Sequence, residues 1–391
     1  MNPIATIALL TGIWRAALTL PSGELPFNFE LQENESFYII TIMNGEERIK
    51  ADEIRIKDDS LFLRLPVFDS EIKVKFTERE MKGVWINYSR KTNQGIPFKA
   101  EFGLKHRFMT SSEKTYKNIS GRWEAWFSPG TKDSSLAIGI FNQNAKEVTG
   151  TFLTSSGDYR YLQGVTEGDS LFLSCFDGSH AFLFKSKITG DENEQMKGVY
   201  LSGNHWKEDW VAKRNDNIEL PNPDSLTFLK PEYKNFNFSF AGFDSSIVKL
   251  SDKKFTNKVK VTQIMGSWCP NCLDETAYLA GYYKKNNARG VEIIGIAFEK
   301  TSDFQKAVSN VQRLKDRYGI KYTLLLAGNR DNVATALPMI NRIMGYPTTI
   351  FIDKKNNVRK IHTGFSGPAT GIYYEKFKDD FEAFMDKLLA E

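Results

Sequence analysis

The sequence predicts a multidomain chain in which two tandem antiparallel all-β units, each a barrel or a sandwich, precede an α/β domain. Three observations lead to this prediction. Phe contributes 29 of the 391 residues, and aromatic side chains favour strands. Sequence patterns from the first part of the chain return in the same order further along it. The last part alternates strand-like and helix-like segments around a Cys-x-x-Cys motif.

The length sets the number of domains that we expect. At about 150 residues per domain, 391 residues correspond to two or three domains. We place the first β unit at residues 1–105 and the second at 106–214. A linker is predicted at 215–235, where prolines 221, 223 and 231 interrupt regular structure, and the α/β domain at 236–391.

The two β units are predicted to be an internal repeat. Residues 12–14 (Gly-Ile-Trp) return at 121–123 (Gly-Arg-Trp), residues 59–63 at 169–173, and residues 81–85 at 196–200. Large apolar residues occupy every second position in 25–31 and 72–76, which is typical of half-buried strands. We expect seven or eight short strands per unit. One larger barrel built from both halves remains an alternative.

The C-terminal part predicts a sheet with a parallel core. The predicted strands and helices follow one another in the order strand 258–265, helix 273–286, strand 291–298, helix 304–318, strands 322–326 and 348–352, and helix 374–389. Such alternation of strands and helices is typical of parallel strands with crossover helices.

Charge and hydropathy exclude some partners. The net charge is +4, from 52 basic and 48 acidic side chains, which is too balanced to indicate a nucleic acid or an anionic membrane surface. No run of 18 apolar residues occurs, so no membrane span is expected. Residues 1–10 are apolar but lack a basic start and a clear cleavage site. We therefore expect either no secretory signal or one already removed.

The Cys269-Pro270-Asn271-Cys272 segment predicts redox chemistry. A predicted strand ends before it and a predicted helix begins within it, so Cys269 lies at a helix N-terminus, where a thiolate is favoured. Cys272 lies one helical turn later and can resolve a mixed disulfide. A zinc site is the alternative, but the pair supplies two ligands where a structural zinc needs four. We predict no metal and no cofactor.

The motif also carries a family resemblance. Residues 268–275 read Trp-Cys-x-x-Cys-x-x-Glu after a strand, and residues 345–349 read Gly-Tyr-Pro-Thr-Thr before another. Over residues 236–391 this pattern resembles the TlpA/ResA branch of thioredoxin-like thiol–disulfide oxidoreductases. The resemblance implies a thioredoxin-like fold for this part of the chain.

Several site residues follow from the resemblance. It implies that Pro347 is a cis proline facing the active-site sulfurs, and that the backbone of Tyr346 is exposed to pair with a substrate strand. A trans proline at a strand start is the alternative. We assign Trp268 and Pro270 to substrate binding as well.

Glu275 matches the family's acidic residue. Its spacing of three residues from Cys272 places it near the same helix face. The implied role is proton transfer around the resolving thiol, with a pKa raised by partial burial. Classical thioredoxins have an acidic residue six positions before the first cysteine, where this chain has Gln263, which cannot titrate. The alternative is an ordinary glutamate favoured by the helix dipole.

Two other residues are interpreted as structural. The third cysteine, Cys175, lies in an apolar run and is predicted to be a buried, inert thiol. His362 is a lone histidine that comes after the predicted sheet, and we interpret it as a packing or hydrogen-bonding residue.

The resemblance to the TlpA/ResA branch implies an enzyme that reduces disulfides in the periplasm or cell envelope. Its expected partners are a disulfide-bearing protein or thiol substrate and a membrane-bound or soluble electron donor. Two alternatives remain. One is a peroxiredoxin-like peroxidase, although the proline and threonine of its motif are absent before Cys269. The other is a ligand- or protein-binding β module, with an accessory redox domain, whose tryptophans stack on a ligand.

Overall fold

The computed structural model describes residues 9–34, 37–90, 92, 95–109, 116–190 and 194–391. Of residues 1–10, the stretch considered above as a secretory signal, residues 1–8 lie outside them. The chain divides into two compact units. The first comprises Met1–Phe152 and Tyr159–Ile218, and the second comprises Leu153–Asp158 and Glu219–Glu391. The predicted boundaries at 105, 214 and 235 stay predictions.

The first nine strands form one antiparallel sheet. They are β1 Gly12–Leu20, β2 Gly23–Asn34, β3 Phe37–Asn44, β4 Glu47–Ala51, β5 Glu53–Lys57, β6 Ser60–Arg64, β7 Ser70–Phe76, β8 Glu80–Asn87 and β9 Gly95–Phe102. Their order is β4-β3-β2-β1-β9-β8-β7-β6-β5, so the first strand pairs with the last and the sheet is nearly closed.

The next nine strands form a second antiparallel sheet. They are β10 Gly121–Phe127, β11 Ser135–Asn144, β12 Glu147–Thr154, β13 Gly157–Asp158, β14 Leu162–Glu167, β15 Ser170–Phe176, β16 Ala181–Thr189, β17 Gln195–Ser202 and β18 Trp206–Arg214. The order is β11-β10-β18-β17-β16-β15-β14-β12-β13, and an additional pairing of β11 with β12 closes the ring.

Each sheet encloses an apolar core. Strand β7 shows the predicted alternation, with Ile72, Val74 and Phe76 buried and Lys73 and Lys75 facing outward. Most of the tryptophans of this part of the chain belong to these cores: Trp14, Trp85, Trp123 and Trp210 are each 0% exposed. They fill the barrels and are closed to a ligand, whereas Trp126 and Trp206 are exposed.

The two sheets pack against each other within the first unit. Phe176 of the second sheet stacks on Phe27 of the first at 4.4 Å and meets Trp85 edge-on at 5.1 Å. Buried Arg107 donates from Nε to Ser174 Oγ (2.8 Å) and from Nη2 to Asn44 Oδ1 (2.8 Å). Burial lowers the pKa of Arg107 to about 10. Each sheet keeps its own hydrogen-bonding ladder, so the fold has two barrels and the alternative of one larger barrel is wrong.

Cys175 lies within β15 in this unit. Its side chain is 0% exposed, and burial raises the pKa of its thiol well above the usual value. Because the thiolate is the reactive species, both features disfavour redox chemistry at this cysteine.

The second unit contains a seven-stranded sheet and four helices. The strands are β19 Ser239–Ala241, β20 Ile247–Lys249, β21 Val259–Met265, β22 Val291–Glu299, β23 Thr323–Asn329, β24 Thr348–Ile352 and β25 Val358–Thr363. The helices are α1 Pro270–Asn286, α2 Phe304–Tyr318, α3 Val333–Ala336 and α4 Ile372–Ala390.

The strand order in this sheet is β20-β19-β23-β22-β21-β24-β25. Strands β21, β22 and β23 pair in parallel, and β24 and β25 extend the sheet as antiparallel strands. This arrangement confirms the thioredoxin-like α/β fold predicted for the C-terminal part. No helix in the described part of the chain is long and apolar enough to cross a membrane.

Part of the predicted linker is hydrogen-bonded within the second unit. Residues Pro223–Ser225 form a 3-10 turn, and the Lys230 amide donates to the Met339 carbonyl at 2.9 Å. Leu229 forms an isolated β-bridge with Ile340. These residues therefore contribute ordered backbone to the second unit.

Candidate active site

The site is built where β21 ends and α1 begins. All seven residues of β21 are buried, and the strand lies between β22 and β24 in the sheet. Helix α1 begins at Pro270, whose ring suits the first helical position because the amide there has no helical acceptor. Cys269 is consequently the N-cap residue, and its Sγ accepts a hydrogen bond from the Cys272 amide at 3.2 Å.

Cys269 and Cys272 are joined by a disulfide, with their Cα atoms 5.2 Å apart. Cys269 is 6% exposed and Cys272 is 0% exposed. Both residues are buried, and Cys269 is the less buried of the two. The roles of nucleophile for Cys269 and resolving thiol for Cys272 stay predictions.

The loop before β24 faces the disulfide. The peptide bond between Tyr346 and Pro347 is cis, and the Tyr346 carbonyl oxygen lies 3.5 Å from Cys269 Sγ. The ring of Trp268 meets that of Tyr346 at 5.3 Å in an edge-on arrangement. Trp268 is fixed by a hydrogen bond from its Nε1 to the Phe298 carbonyl (2.9 Å). Trp268, Tyr346 and Pro347 thus lie beside Cys269.

Two cations lie over the ring of Trp268. Lys300 Nζ is 4.8 Å and Arg330 Cζ is 5.2 Å from its centroid. Both distances are within the range of cation–π attraction, and the two side chains place positive charge at the rim of the site. Neither cation was predicted, because each follows a different strand and only the tertiary fold brings them to this ring.

Glu275 lies fully buried one turn after Cys272. Its carboxylate accepts hydrogen bonds from Gln263 Nε2 (2.8 Å) and Thr349 Oγ1 (2.7 Å). Burial raises the pKa of Glu275 to about 7, and the two hydrogen bonds oppose that shift. Gln263 Nε2 also lies 3.3 Å from the carbonyl oxygen of Cys272, so one amide contacts both helix residues. The carboxyl is more deeply buried than the partial burial expected from sequence.

A second carboxyl supports the loop before Cys269. Glu299, at the end of β22, is 1% exposed. It accepts hydrogen bonds from the amide (2.8 Å) and the hydroxyl (2.7 Å) of Ser267. Burial raises the pKa of Glu299. Sequence analysis missed this residue because its distance of 32 positions from Ser267 leaves no local signal.

The short segment Leu153–Asp158 also belongs to the second unit and borders the site. The Asn271 side chain donates to the Asp158 carbonyl (3.2 Å), and the Gly367 amide donates to Asp158 Oδ2 (2.8 Å). The segment also lies close to Gly345, where an added Cβ would be 2.4 Å from the Cβ of Ser156. The segment therefore contacts both the Cys-x-x-Cys turn and the loop that leads to Pro347.

The site shows no additional metal-binding side chains. Among the residues that the structure describes, no group of three or more His, Cys, Asp or Glu side chains is arranged to hold a metal ion. The two sulfurs that a zinc ion would use are bonded to each other.

Replacing Glu275 with Gln should change how stability depends on pH. A carboxyl with a pKa of about 7 when folded, and an ordinary pKa when unfolded, binds more protons in the folded state between about pH 4.5 and 7. Stability of the wild type should therefore fall as pH rises through that interval and level off above it. Measured against the free energy of unfolding of Glu275→Gln, that of the wild type should fall by on the order of 3 kcal/mol over this interval.

The measurement is the thermal unfolding midpoint of the full, oxidised chain at several pH values, by calorimetry. The matched control is Asp379→Asn, which removes an exposed carboxyl on α4. Its unfolding midpoint should change with pH as that of the wild type does. A constant difference between wild type and Glu275→Gln from pH 5 to pH 8 would show that Glu275 has an ordinary pKa.

Loosening the segment that borders the site should admit larger reagents. Asp158→Ala removes the acceptor of the Gly367 amide. In the reduced full chain, we expect Cys269 to react several-fold faster with a maleimide carried on a polyethylene glycol chain. The rate with iodoacetamide should stay within about twofold, because a small reagent needs less space beside the segment. Asp133→Ala, at an exposed position of the first unit, is the control. Equal gains for both reagents would contradict a steric role for the segment.

Comparison with known proteins shows which family and which proteins this part of the chain is similar to. Residues 232–374 match the family described as Redoxin. The chain is similar to the thiol-disulfide oxidoreductase ResA of Bacillus subtilis (strain 168), with 29% identity over 128 residues, 33% of this chain and 64% of the relative. It is similarly related to ResA of Halalkalibacterium halodurans, with 27% identity over 128 residues, 33% of this chain and 65% of that protein. The matches thus span slightly less than two thirds of these relatives.

A solved structure is also similar to part of this chain. It is a thiol:disulfide interchange protein of the thioredoxin family from Chlorobium tepidum TLS, with 22% identity and a TM-score of 0.31, covering 40% of this chain and 95% of that one. The assignment of a thioredoxin-like fold rests on the strand order described above and not on this similarity. Residues 232–374 thus match the Redoxin family, and the C-terminal third of the chain is similar in sequence to the ResA thiol-disulfide oxidoreductases.

Proposed function

We propose that this protein is a thiol–disulfide oxidoreductase that reduces disulfides through Cys269 and Cys272. The observation that carries the proposal is the position of Cys269 Sγ, which caps α1 and accepts a hydrogen bond from the Cys272 amide (3.2 Å). In the reduced protein the same amide and the positive end of the helix dipole favour a thiolate on Cys269. A thiolate is the nucleophile of disulfide exchange.

The first step forms a mixed disulfide. The Cys269 thiolate attacks one sulfur of the substrate disulfide, the substrate's S–S bond breaks, and the other substrate sulfur leaves as a thiolate that takes up a proton. Cys269 is suited to this step because its side chain is the more exposed of the pair.

The second step releases the substrate. The Cys272 thiol loses its proton and attacks Cys269 Sγ, so the mixed disulfide breaks and the second substrate sulfur leaves as a thiolate. Two electrons have then passed from the dithiol to the substrate, and the enzyme is left with the disulfide seen in this structure. Glu275 is the proposed acceptor of the Cys272 proton, because a pKa of about 7 allows it to hold and release a proton near neutral pH.

The surroundings of Cys269 suggest how a substrate is held. The Tyr346 carbonyl lies 3.5 Å from Cys269 Sγ, where it can accept a hydrogen bond from an extended substrate segment. The half-buried ring of Trp268, which contacts Tyr346, provides apolar surface beside this carbonyl. Lys300 and Arg330 lie over the Trp268 ring, and Asp331 offsets part of the charge of Arg330 (Nε–Oδ1 3.6 Å).

The catalytic cycle needs a source of electrons. A reductase left as the Cys269–Cys272 disulfide must be reduced by a donor, membrane-bound or soluble, before the next turnover. We propose the periplasm or cell envelope as the place of action, on the strength of the resemblance to the TlpA/ResA branch. The substrate is proposed to be a protein disulfide or another thiol compound.

Neither alternative gains support from the geometry. A resolving cysteine already bonded to Cys269 favours dithiol exchange over a peroxiredoxin-like reaction. A ligand-binding role for the first unit depended on its tryptophans, and four of them are 0% exposed.

A trapping experiment tests the proposed function. With Cys272→Ala, the reduced full chain should attack insulin and remain joined to it through Cys269, because no resolving thiol is present. Mass measurement of the intact adduct, before and after adding a reductant, should show a covalent link that reduction releases.

Two matched variants serve as controls. Cys175→Ala should turn over insulin like the wild type, since that thiol is buried in the first unit. Cys269→Ala should accumulate at least about tenfold less adduct, because the buried Cys272 lacks the helix-cap position. Equal adducts on Cys269 and Cys272, or any adduct on Cys175, would overturn the assignment.

A further inference from the structure

Three polar side chains form a row across the sheet beneath α1. They are Gln263 on β21, Thr349 on β24 and His362 on β25, and each is directly paired with the next in the antiparallel register. Directly opposite residues project from the same face of a sheet, with their Cβ atoms about 4.5–5.5 Å apart. The row therefore leads from the strand that carries the active site to the edge strand of the sheet.

The carboxyl of Glu275 rests on the inner end of this row. It accepts hydrogen bonds from both Gln263 and Thr349. Gln263 and Glu275 are 0% exposed and Thr349 is 1% exposed, so water has no direct access to the carboxyl. A proton that Glu275 receives must leave through neighbouring groups.

The outer end of the row reaches solvent. The side chain of His362 is 18% exposed, and its Nδ1 lies 2.6 Å from Oδ1 of Asp224, which is 37% exposed. The ring also packs against Phe377 of α4 at 5.5 Å. The pair of imidazole and carboxylate is thus held in place at the surface, one strand away from the hydroxyl that contacts Glu275.

The charged and titratable groups around the row are few. Tyr322 faces Glu275, and Lys360 lies 4.0 Å from Asp224 on the outer side. A protonated His362 lowers the pKa of Glu275, against the larger effect of burial.

We propose that His362, held by Asp224, is a positioning residue through which Glu275 exchanges its proton with solvent, by way of the Thr349 hydroxyl. The inference rests on the proposed function. When Cys272 attacks, its proton passes to Glu275. The Glu275 carboxyl then donates to Thr349 Oγ1, and the hydroxyl passes its own proton to the neutral imidazole. The imidazolium, stabilised by Asp224, releases the proton to water.

The test separates the two chemical steps by using 5,5′-dithiobis(2-nitrobenzoate) as the disulfide. Attack by Cys269 releases one coloured thiolate, and attack by Cys272 on the mixed disulfide releases a second. Stopped-flow absorbance of the reduced full chain should therefore show two phases. With His362→Gln, the second phase should slow by about tenfold near pH 7 while the first changes by less than about twofold.

Two further readouts distinguish proton exchange from a structural effect. The pH midpoint of the second phase should be displaced in His362→Gln, because glutamine, unlike the neutral imidazole, cannot accept the proton from Thr349. Added imidazole should restore part of the rate in His362→Ala, since the partly exposed ring leaves an open site. Asp224→Asn, which keeps the histidine, should give a smaller shift in the same direction. His106→Gln, in the first unit, is the control and should leave both phases unchanged.

Several outcomes would overturn the inference. One is an unchanged second phase in His362→Gln. Another is a slower phase with neither a displaced pH midpoint nor rescue by imidazole, which would make His362 a packing residue only. Either result leaves two phases in the wild type, and the proposed function stands. Failure of the proposed function would be visible separately, as loss of the second phase from the wild type itself.

Discussion

The cap that Cys269 Sγ provides to α1 is the interaction on which the rest of the site depends. It exists because β21 lies buried between two neighbours and delivers the chain to the edge of the sheet, where Pro270 begins a helix at once. The free amides of the first turn then point at the sulfur. A strand that ended one residue later would present a different atom to those amides, so the position of the nucleophile is fixed by the sheet.

The junction of β21 and α1 also places a carboxyl where burial is energetically unfavourable. Glu275 is one turn beyond Cys272 and faces the sheet, where water is excluded. Burying it without hydrogen bonds would cost several kcal/mol, and Gln263 and Thr349 offset part of that cost. They offset only part, which leaves the pKa near neutral. An exposed glutamate at this position would be permanently ionised at pH 7 and would be a poor proton acceptor and donor.

Local patterns were enough to predict the parts of this architecture that neighbouring residues determine. Helix α2 was predicted with its observed ends, because the spacing of its apolar residues is a local pattern. Strand β25 was missed, because only two of its six residues are buried and its pattern is weak. Helix α1 begins three residues before its predicted start, because Pro270 is favoured at the first helical position.

The residues of the site also divide into those that local spacing predicts and those that depend on the tertiary fold. The redox pair and Glu275 lie within seven residues of one another, so spacing alone brought them together. The partners Thr349, His362 and Glu299 come from other strands, and their contacts depend on strand register, which a single sequence does not specify. His362 was interpreted as a packing or hydrogen-bonding residue. Its contacts with Asp224 and Phe377 agree with that description, and its place opposite Thr349 adds a second role that only the register suggests.

Two buried carboxyls lie near the sulfurs, and their positions indicate different tasks. Both oxygens of Glu299 are engaged by Ser267, the residue two positions before Cys269, so its ionised form holds the loop in place. Each carboxyl accepts from one N–H group that can only donate, the Ser267 amide for Glu299 and Gln263 Nε2 for Glu275. Each also accepts from one hydroxyl that can turn from donor to acceptor, so the hydrogen bonds can accommodate a proton at either carboxyl. The two carboxyls differ in what they adjoin. Glu299 supports the loop before Cys269, whereas Glu275 lies one turn beyond Cys272, where we propose that it takes up the proton of the resolving thiol.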